Sequence, residues 1–373
     1  MGSSRSVKSF VLLILNLSAF IAWVTAATVS SLRNQNEFDK LERPMMSLGV
    51  QIVYDDAFLR SDVKLLAGVK QYLSALLNAA ELRFADMINP VIELILTQTT
   101  HVDDDFIFRY ARGDFYGMVN YYQSVQFMKD GALGYEVSFG EADLVLFVTG
   151  QSVEPPTLRP HGSWIGVPTI GGVCTKDKFG LLYDDGVSFS GATDMAQQIA
   201  FLLGAVGPRI SDGSLLSQPG GGSYHYGLSD EGKKAIFEHY KRKHKTENGC
   251  WKDRPKPMIP KYPVDFLLER RVDICTETYG TPYKECPEVD GQRITAECRV
   301  LCCLGGSRKQ EVFVPDGAEC GPDGRMCIHG WCVDKIGDYI STPGLSISTI
   351  PGGTPYDWDK LKSQMQSENE ENI

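Results

Sequence analysis

Positive charge is the first thing this chain is short of. Its 37 lysines and arginines face 47 aspartates and glutamates, a formal net charge of −10. That balance argues against nucleic acid and anionic membrane surfaces as partners. The acids are spread along the chain, so the excess otherwise reads as ordinary solubility. Cysteine is nearly missing from the first two thirds, where Cys174 stands alone before Cys250. After residue 24 no apolar run has the length of a membrane-spanning helix. Histidine is scarce: His101, His161, His225, His239, His244 and His329 are all there are. No Ser/His/Asp or Cys/His arrangement can be placed among them by motif.

What is present divides the chain. Arg5 and Lys8 precede an apolar stretch from Phe10 to Val24, and Val24-Thr25-Ala26 is a small-residue cleavage pattern. Residues 1–26 read as a secretory signal peptide, with a retained anchor as the alternative. The expectation is a secreted, extracellular protein. The only Asn-x-Ser/Thr sequence, at Asn16, lies inside that segment, so no N-glycan is expected. The ten cysteines are even in number, and eight of them crowd between Cys275 and Cys332. Such spacing predicts a large conventional domain followed by a disulfide-stapled module. Residues 27–45 read as a short lead-in and 46–250 as the large domain. The Pro- and Lys-rich 251–270 reads as a linker, 271–335 as the Cys-rich module, and 336–373 as a disordered acidic tail.

Within the large domain, strands and helices alternate. Leu48 to Tyr54 is a β-rich apolar run, and Asp62 can cap a helix reaching about Phe84. Val91 to Leu96 is a nearly continuous apolar strand, followed by Asp103-Asp104-Asp105 as the cap of a second helix through Tyr121. Asp143 to Thr149 is a third strand. The glycine-spaced Trp164 to Cys174 suggests an edge strand that another backbone approaches closely, and Phe179 to Tyr183 is one more short strand. This alternation predicts an α/β fold with a mostly parallel sheet.

The most informative stretch runs from Thr193 to Gly207. Met195, Ile199, Leu202 and Leu203 fall at i, i+4, i+7 and i+8, one face of an amphipathic helix, and Gly204 sits where that helix would stop. Around it, in order, stand Asp143-Leu-Val-Leu-Phe-Val-Thr-Gly150, Gly171-Gly-Val-Cys174, Tyr183-Asp-Asp, Ser188-Phe-Ser-Gly, Leu203-Gly204-Ala, Ser211-Asp-Gly-Ser-Leu-Leu-Ser217, and Leu228-Ser-Asp before a basic helix ending at Cys250. In this order and spacing, residues 46–250 resemble the reprolysin (adamalysin) branch of the metzincin proteases, and more closely the secreted salivary reprolysin-like proteins of ticks. The resemblance implies a three-layer domain with a twisted sheet and long helices. It also implies a disulfide between Cys174 and Cys250, which would contribute about 4 kcal/mol through the unfolded chain.

The family's active helix reads His-Glu-x-x-His-x-x-Gly-x-x-His. Here the matching positions are Gln197, Gln198, Phe201, Gly204 and Gly207. Gln197 offers a neutral amide, Phe201 has no lone pair, and Gly207 has no side chain, so the three zinc ligands are replaced. Gln198 stands for the general base, and an amide cannot take up a proton near neutral pH. Leu216 stands at the family's Met-turn position and keeps an apolar floor. The family implies zinc; these residues do not support it, and no cofactor is expected. Elsewhere, His225 reads as a displaced contact or as a plain loop histidine. His239 and His244 read as solvent-facing, and Asp184-Asp185 as a calcium-type site or a solvated turn.

Cys320-Gly-Pro-Asp-Gly-Arg-Met-Cys327-Ile-His-Gly-Trp-Cys332 is similar to the Cys-rich regions that follow reprolysin domains. A zinc ribbon is the rival reading, and a secretory signal favours disulfides. Trp331 reads either as an exposed binding anchor or as the module's packing residue. Reprolysin precursors also carry a long pro-segment, and only about twenty residues stand between the expected signal and first strand. The expected function is a secreted pseudoprotease, monomeric, that binds extracellular proteins, among them host proteins of haemostasis, matrix or immunity if the tick likeness holds. The alternative is an active metalloendopeptidase with a non-standard metal site.

Overall fold

Strand formation begins at β1 (Met45–Asp55), whose apolar residues Met46, Leu48, Val50 and Ile52 fall at every second position and share one face, while Val53 takes the other. In chain order there follow α1 (Asp56–Arg60), α2 (Val69–Leu82), β2 (Val91–Val102), α3 (Tyr121–Gly131), β3 (Leu144–Thr149), the short pair β4 (Thr157–Leu158) and β5 (Trp164–Ile165), β6 (Phe179–Tyr183), α4 (Ala192–Leu202), α5 (Asp230–Thr246), α6 (Pro263–Glu269) and α7 (Ile274–Tyr279). The C-terminal region adds β7 (Lys284–Glu285), β8 (Arg299–Leu304), β9 (Arg308–Phe313), β10 (Glu319–Cys320), β11 (Arg325–Ile328) and β12 (Trp331–Val333). The computed structural model describes residues 44–60, 68–103, 118–131, 139, 142–153, 157–158, 164–207, 213–217, 226–246, 250–251, 261–286, 298–305, 308–320 and 325–334. The expected signal segment, the lead-in as far as residue 43, the tail from 336, Asp62, Asp104, Asp105, His161 and His225 lie outside the described residues.

The fold is mixed α/β. Four parallel strands stand in the order β2-β1-β3-β6. β3 is buried at every residue, as its unbroken apolar run requires of an interior strand. The period-2 alternation sorts side chains to two cores. Val50, Ile52, Leu144, Leu146 and Val148 face α2 and α4. Val53, Val145, Phe147, Phe179 and Leu181 face α3. No helix among the described residues is long and apolar enough to cross a membrane.

The C-terminal region is rich in disulfides: Cys275–Cys302, Cys286–Cys303, Cys298–Cys327 and Cys320–Cys332. They lace two small three-stranded sheets, β7-β8-β9 and β10-β11-β12, whose interior is largely the cystines themselves. A second, apolar contact involves Leu82 and Tyr226 on one side and Ile328 and Val333 on the other, with Trp331 partly buried against it. Cys174 is bonded to Cys250.

Four sequence expectations change. Tyr121 opens a helix where the sequence suggested the end of one. Trp164 to Cys174 is a strand only over Trp164–Ile165; positive φ at Gly166 and Gly171 turns the chain out of the sheet. The backbone approach expected there does occur, but to a helix end. The Gly171 and Val173 N–H groups donate to the Phe201 and Leu202 carbonyls at 2.9 and 3.1 Å. Residues 251–270 are not simply a linker. Trp251 is buried beside Tyr240, with ring centroids 5.8 Å apart, and Phe266 of α6 packs on Tyr72 and Phe189. His239 is 9% exposed where a solvent-facing residue was expected, because α5 presses its ring against Gly171 and Gly204.

Candidate functional site

Helix α4 owes its position to its end. The Ala205 N–H donates to the Ala200 carbonyl and the Gly204 N–H to that of Phe201, both at 2.9 Å. This is a Schellman closure, and it needs the positive φ that Gly204 adopts, 97°. A Cβ on Gly204 would also lie 2.9 Å from that of His239. With Gly171 and Val173 donating as well, the carbonyls an α-helix leaves bare are largely satisfied by backbone.

The side chains at the motif positions are all engaged or absent. Gln197 donates its Nε2 to the Leu215 carbonyl at 2.8 Å. Gln198 is 3% exposed and accepts at Oε1 from the Tyr121 hydroxyl at 2.6 Å. That hydroxyl in turn accepts from the Leu181 backbone N–H, so it bridges α3, the outer strand β6 and α4. Burial holds the Tyr121 phenol well above its ordinary range, and the hydroxyl stays a neutral donor. Gly180 gives Gln198 room to reach it, with a built Cβ there falling 3.3 Å from the Gln198 Cβ. Phe201 is 1% exposed in the main core, together with Leu215 and Leu216. Gly207 lies past the helix and brings nothing.

This donor set does not fit a zinc ion. No imidazole, carboxylate or thiolate stands at positions 197, 198, 201 or 207. Among the described residues, two groups of potential ligands lie close enough to share an ion: Cys298 with Cys320 and Cys327, and Asp143 with Cys174 and Cys250. Every cysteine in both is in a disulfide and has no thiolate to offer. Of the histidines, His101 pairs with Asp56 on the surface at 2.8 Å, and His239 and His329 are packed against protein.

Two buried polar centres flank α4, and the sequence reading missed both. Asp184, read with Asp185 as a calcium-type site or a solvated turn, has no exposure at all. It lies one residue past β6, and its carboxylate accepts from the Tyr72 hydroxyl (2.7 Å), Gly186 N–H (2.7 Å) and Gly191 N–H (2.8 Å). α4 has no side-chain N-cap; Asp184 fixes the approach instead. Tyr72 completes the centre by accepting from the Phe189 N–H at 2.9 Å and stacking on the Phe189 ring at 4.1 Å. An acid placed directly after the apolar run Phe179 to Tyr183 is the one signal that sequence offered for this centre.

The second centre joins the body to the Cys-rich region. Arg83, 3% exposed at the end of α2, pairs with Asp316. Asp316 accepts from the His329 backbone N–H at 2.6 Å, and Thr193 of α4 reaches both Arg83 Nη2 (3.4 Å) and His329 Nδ1 (3.3 Å). A small cavity of about 50 Å³ lies against Arg83, Thr193, Asp316 and His329. No local pattern links these four positions in sequence.

No family model matches the chain, and no curated protein matches it. Among solved structures it is similar to one described as "Structure of a chaperone-substrate complex", at 12% identity and a TM-score of 0.36. That match covers 53% of this chain and 34% of the other, so the chain spans about a third of that protein's length. The likeness is too slight to carry fold or function.

The two centres set opposite pH dependences. Burial, then the neighbouring Asp185 carboxylate, pushes the Asp184 carboxyl from 3.8 up to about 7. The native state then holds a proton that the unfolded chain releases, so this stabilisation is complete below about 4 and is lost as pH rises through about 7. Burial, then Arg83, lowers His329 from 6.5 to about 4. Its contribution is complete above about 6.5 and is lost as pH falls through about 4. Asp184→Asn removes one of the two opposing slopes. Relative to the native chain, the variant's unfolding free energy should rise with pH between about 4 and 7, by at most about 1.4 kcal/mol per unit. Urea titrations at stepped pH read this directly; a difference that is flat or falls sinks the assignment.

Proposed function

We propose that this chain is a reprolysin-like pseudoprotease, secreted, that acts by binding extracellular proteins and not by cleaving them. The observation that carries it is the state of Gln198. At the position where the resemblance places a general base stands a buried amide whose oxygen is taken up by Tyr121. Gln197 and Phe201 support the same reading, since one is tied to Leu215 and the other fills core space. The parallel sheet with helices on both faces, the helix ending in Gly204 and the disulfide-rich region that follows suit a metzincin-type body with its module. Such a body retains shape without chemistry, and its partners are extracellular proteins met through the body and module surfaces.

The test is zinc per chain, by elemental analysis after dialysis against trace zinc, with peptidase assays on the same sample. The expected result is no stoichiometric zinc and no turnover that a chelator abolishes. One zinc per chain with chelator-sensitive cleavage would overturn the proposal.

A further inference from the structure

We propose that the C-terminal half of α5 is a binding site for a sulfated polysaccharide. In a chain of net charge −10, Lys241, Arg242, Lys243 and Lys245 supply four of five consecutive residues, and no acid occurs between Glu238 and Glu247. Lys241 and Arg242 are exposed and Lys243 is half-buried. The Lys241 ammonium sits 4.4 Å above the Phe237 ring, which steadies it at the surface.

The array is held rigid from beneath. Ile236 is fully buried, Tyr240 is 7% exposed and packs on Trp251, and the Cys174–Cys250 disulfide fastens the chain four residues past the helix. Cations fixed on a rigid helix lose little freedom when they meet a ligand, so they bind more strongly than the same residues on a loose loop. The helix dipole favours cations in the last turn. That accounts for the charges nearest the helix end but not for Lys241, which stands more than a turn before it.

The class of ligand follows from what surrounds the array. A helix that lies on a membrane needs an apolar face beside its cations. The large exposed apolar residues among those described (Met45, Ile88, Tyr122, Ile170, Val206 and Leu268) all lie off α5. The ligand is therefore held by charge alone. Five disulfides suit an oxidising compartment, where sulfated polysaccharides are the abundant polyanions. Guanidinium and ammonium groups match sulfate oxygens with charge-assisted hydrogen bonds. The site is independent of whether the body cleaves peptides.

The experiment measures binding of the full chain to immobilised heparin across a salt series. Three proteins are compared: the native chain, Lys241→Ala/Arg242→Ala/Lys243→Ala, and a control that removes equal charge elsewhere, Lys70→Ala/Arg271→Ala/Lys284→Ala. The native chain and the control should bind near physiological ionic strength. The α5 variant should bind about tenfold or more weakly, with the salt slope reduced by about 2–3. Thermal melting checks that it folds; if it does not, Lys241→Gln/Arg242→Gln replaces only exposed side chains and takes its place. No binding by the native chain, or equal loss in the control, overturns the proposal. So does binding of unsulfated hyaluronan, phosphatidylserine vesicles or duplex DNA as tight as that of heparin.

Discussion

Replacing Phe201 with alanine should lower the unfolding free energy by about 3–5 kcal/mol, the range for an aromatic deleted from a packed core. The ring is 1% exposed and shares its cluster with Leu215, Leu216 and the inner face of α2. The loss combines transfer of the ring with the void it leaves, because backbone bonds at Phe201, Leu202 and Ala200 hold the end of α4 and limit collapse. Denaturant titration measures it. Phe201→Leu should recover most of the loss, since a branched aliphatic fills much of the same space. A loss below about 1 kcal/mol in Phe201→Ala would place the ring outside the core. Its position would then have to be reassigned.

Asp316→Ala should have an effect of similar size, for an electrostatic reason. Arg83 is almost without solvent contact, and its guanidinium has one carboxylate partner among the described residues. Removing that carboxylate leaves a buried cation uncompensated, which destabilises by about 3–5 kcal/mol. The His329 N–H loses its acceptor as well. The Cys-rich region should loosen from the body, so a calorimetric scan of the variant should resolve two transitions in place of one. The double replacement Arg83→Met/Asp316→Leu should restore most of the stability, because an apolar pair of similar bulk carries no desolvation penalty. If the double variant is as unstable as the single, the ion pair is not what joins the two parts.

How much of this was legible in sequence depends on whether the cause was local. The interior strand Leu144–Thr149 was legible because five apolar residues in a row, Leu144 to Val148, admit few other readings. Helix α4 was legible from the spacing of Met195, Ile199 and Leu202, and its stop from Gly204. The bounds of β1 and β2 ran past the expected ones, since pairing extends a strand through polar residues such as Thr99 and Thr100. What escaped was non-local. Nothing near Tyr121 announces that its hydroxyl would meet Gln198, 77 positions away. His239 looked like one more polar residue on a basic helix until two glycines brought a neighbouring backbone against it. The Lys/Pro composition of 251–270 hid two aromatic core residues, Trp251 and Phe266, because composition averages over single anchoring side chains.

The closure of α4 by glycine and main chain has a consequence for how such a chain can change over generations. The groups that terminate this helix are peptide N–H groups and a residue without a side chain, none of which depends on what stands at 197, 198 or 207. Substitution at those three places can proceed one step at a time, toward a metal or away from it, with no intermediate forced to rebuild the helix end. The end of α4 is thus built independently of the side chains at those three positions and can outlast any change in them.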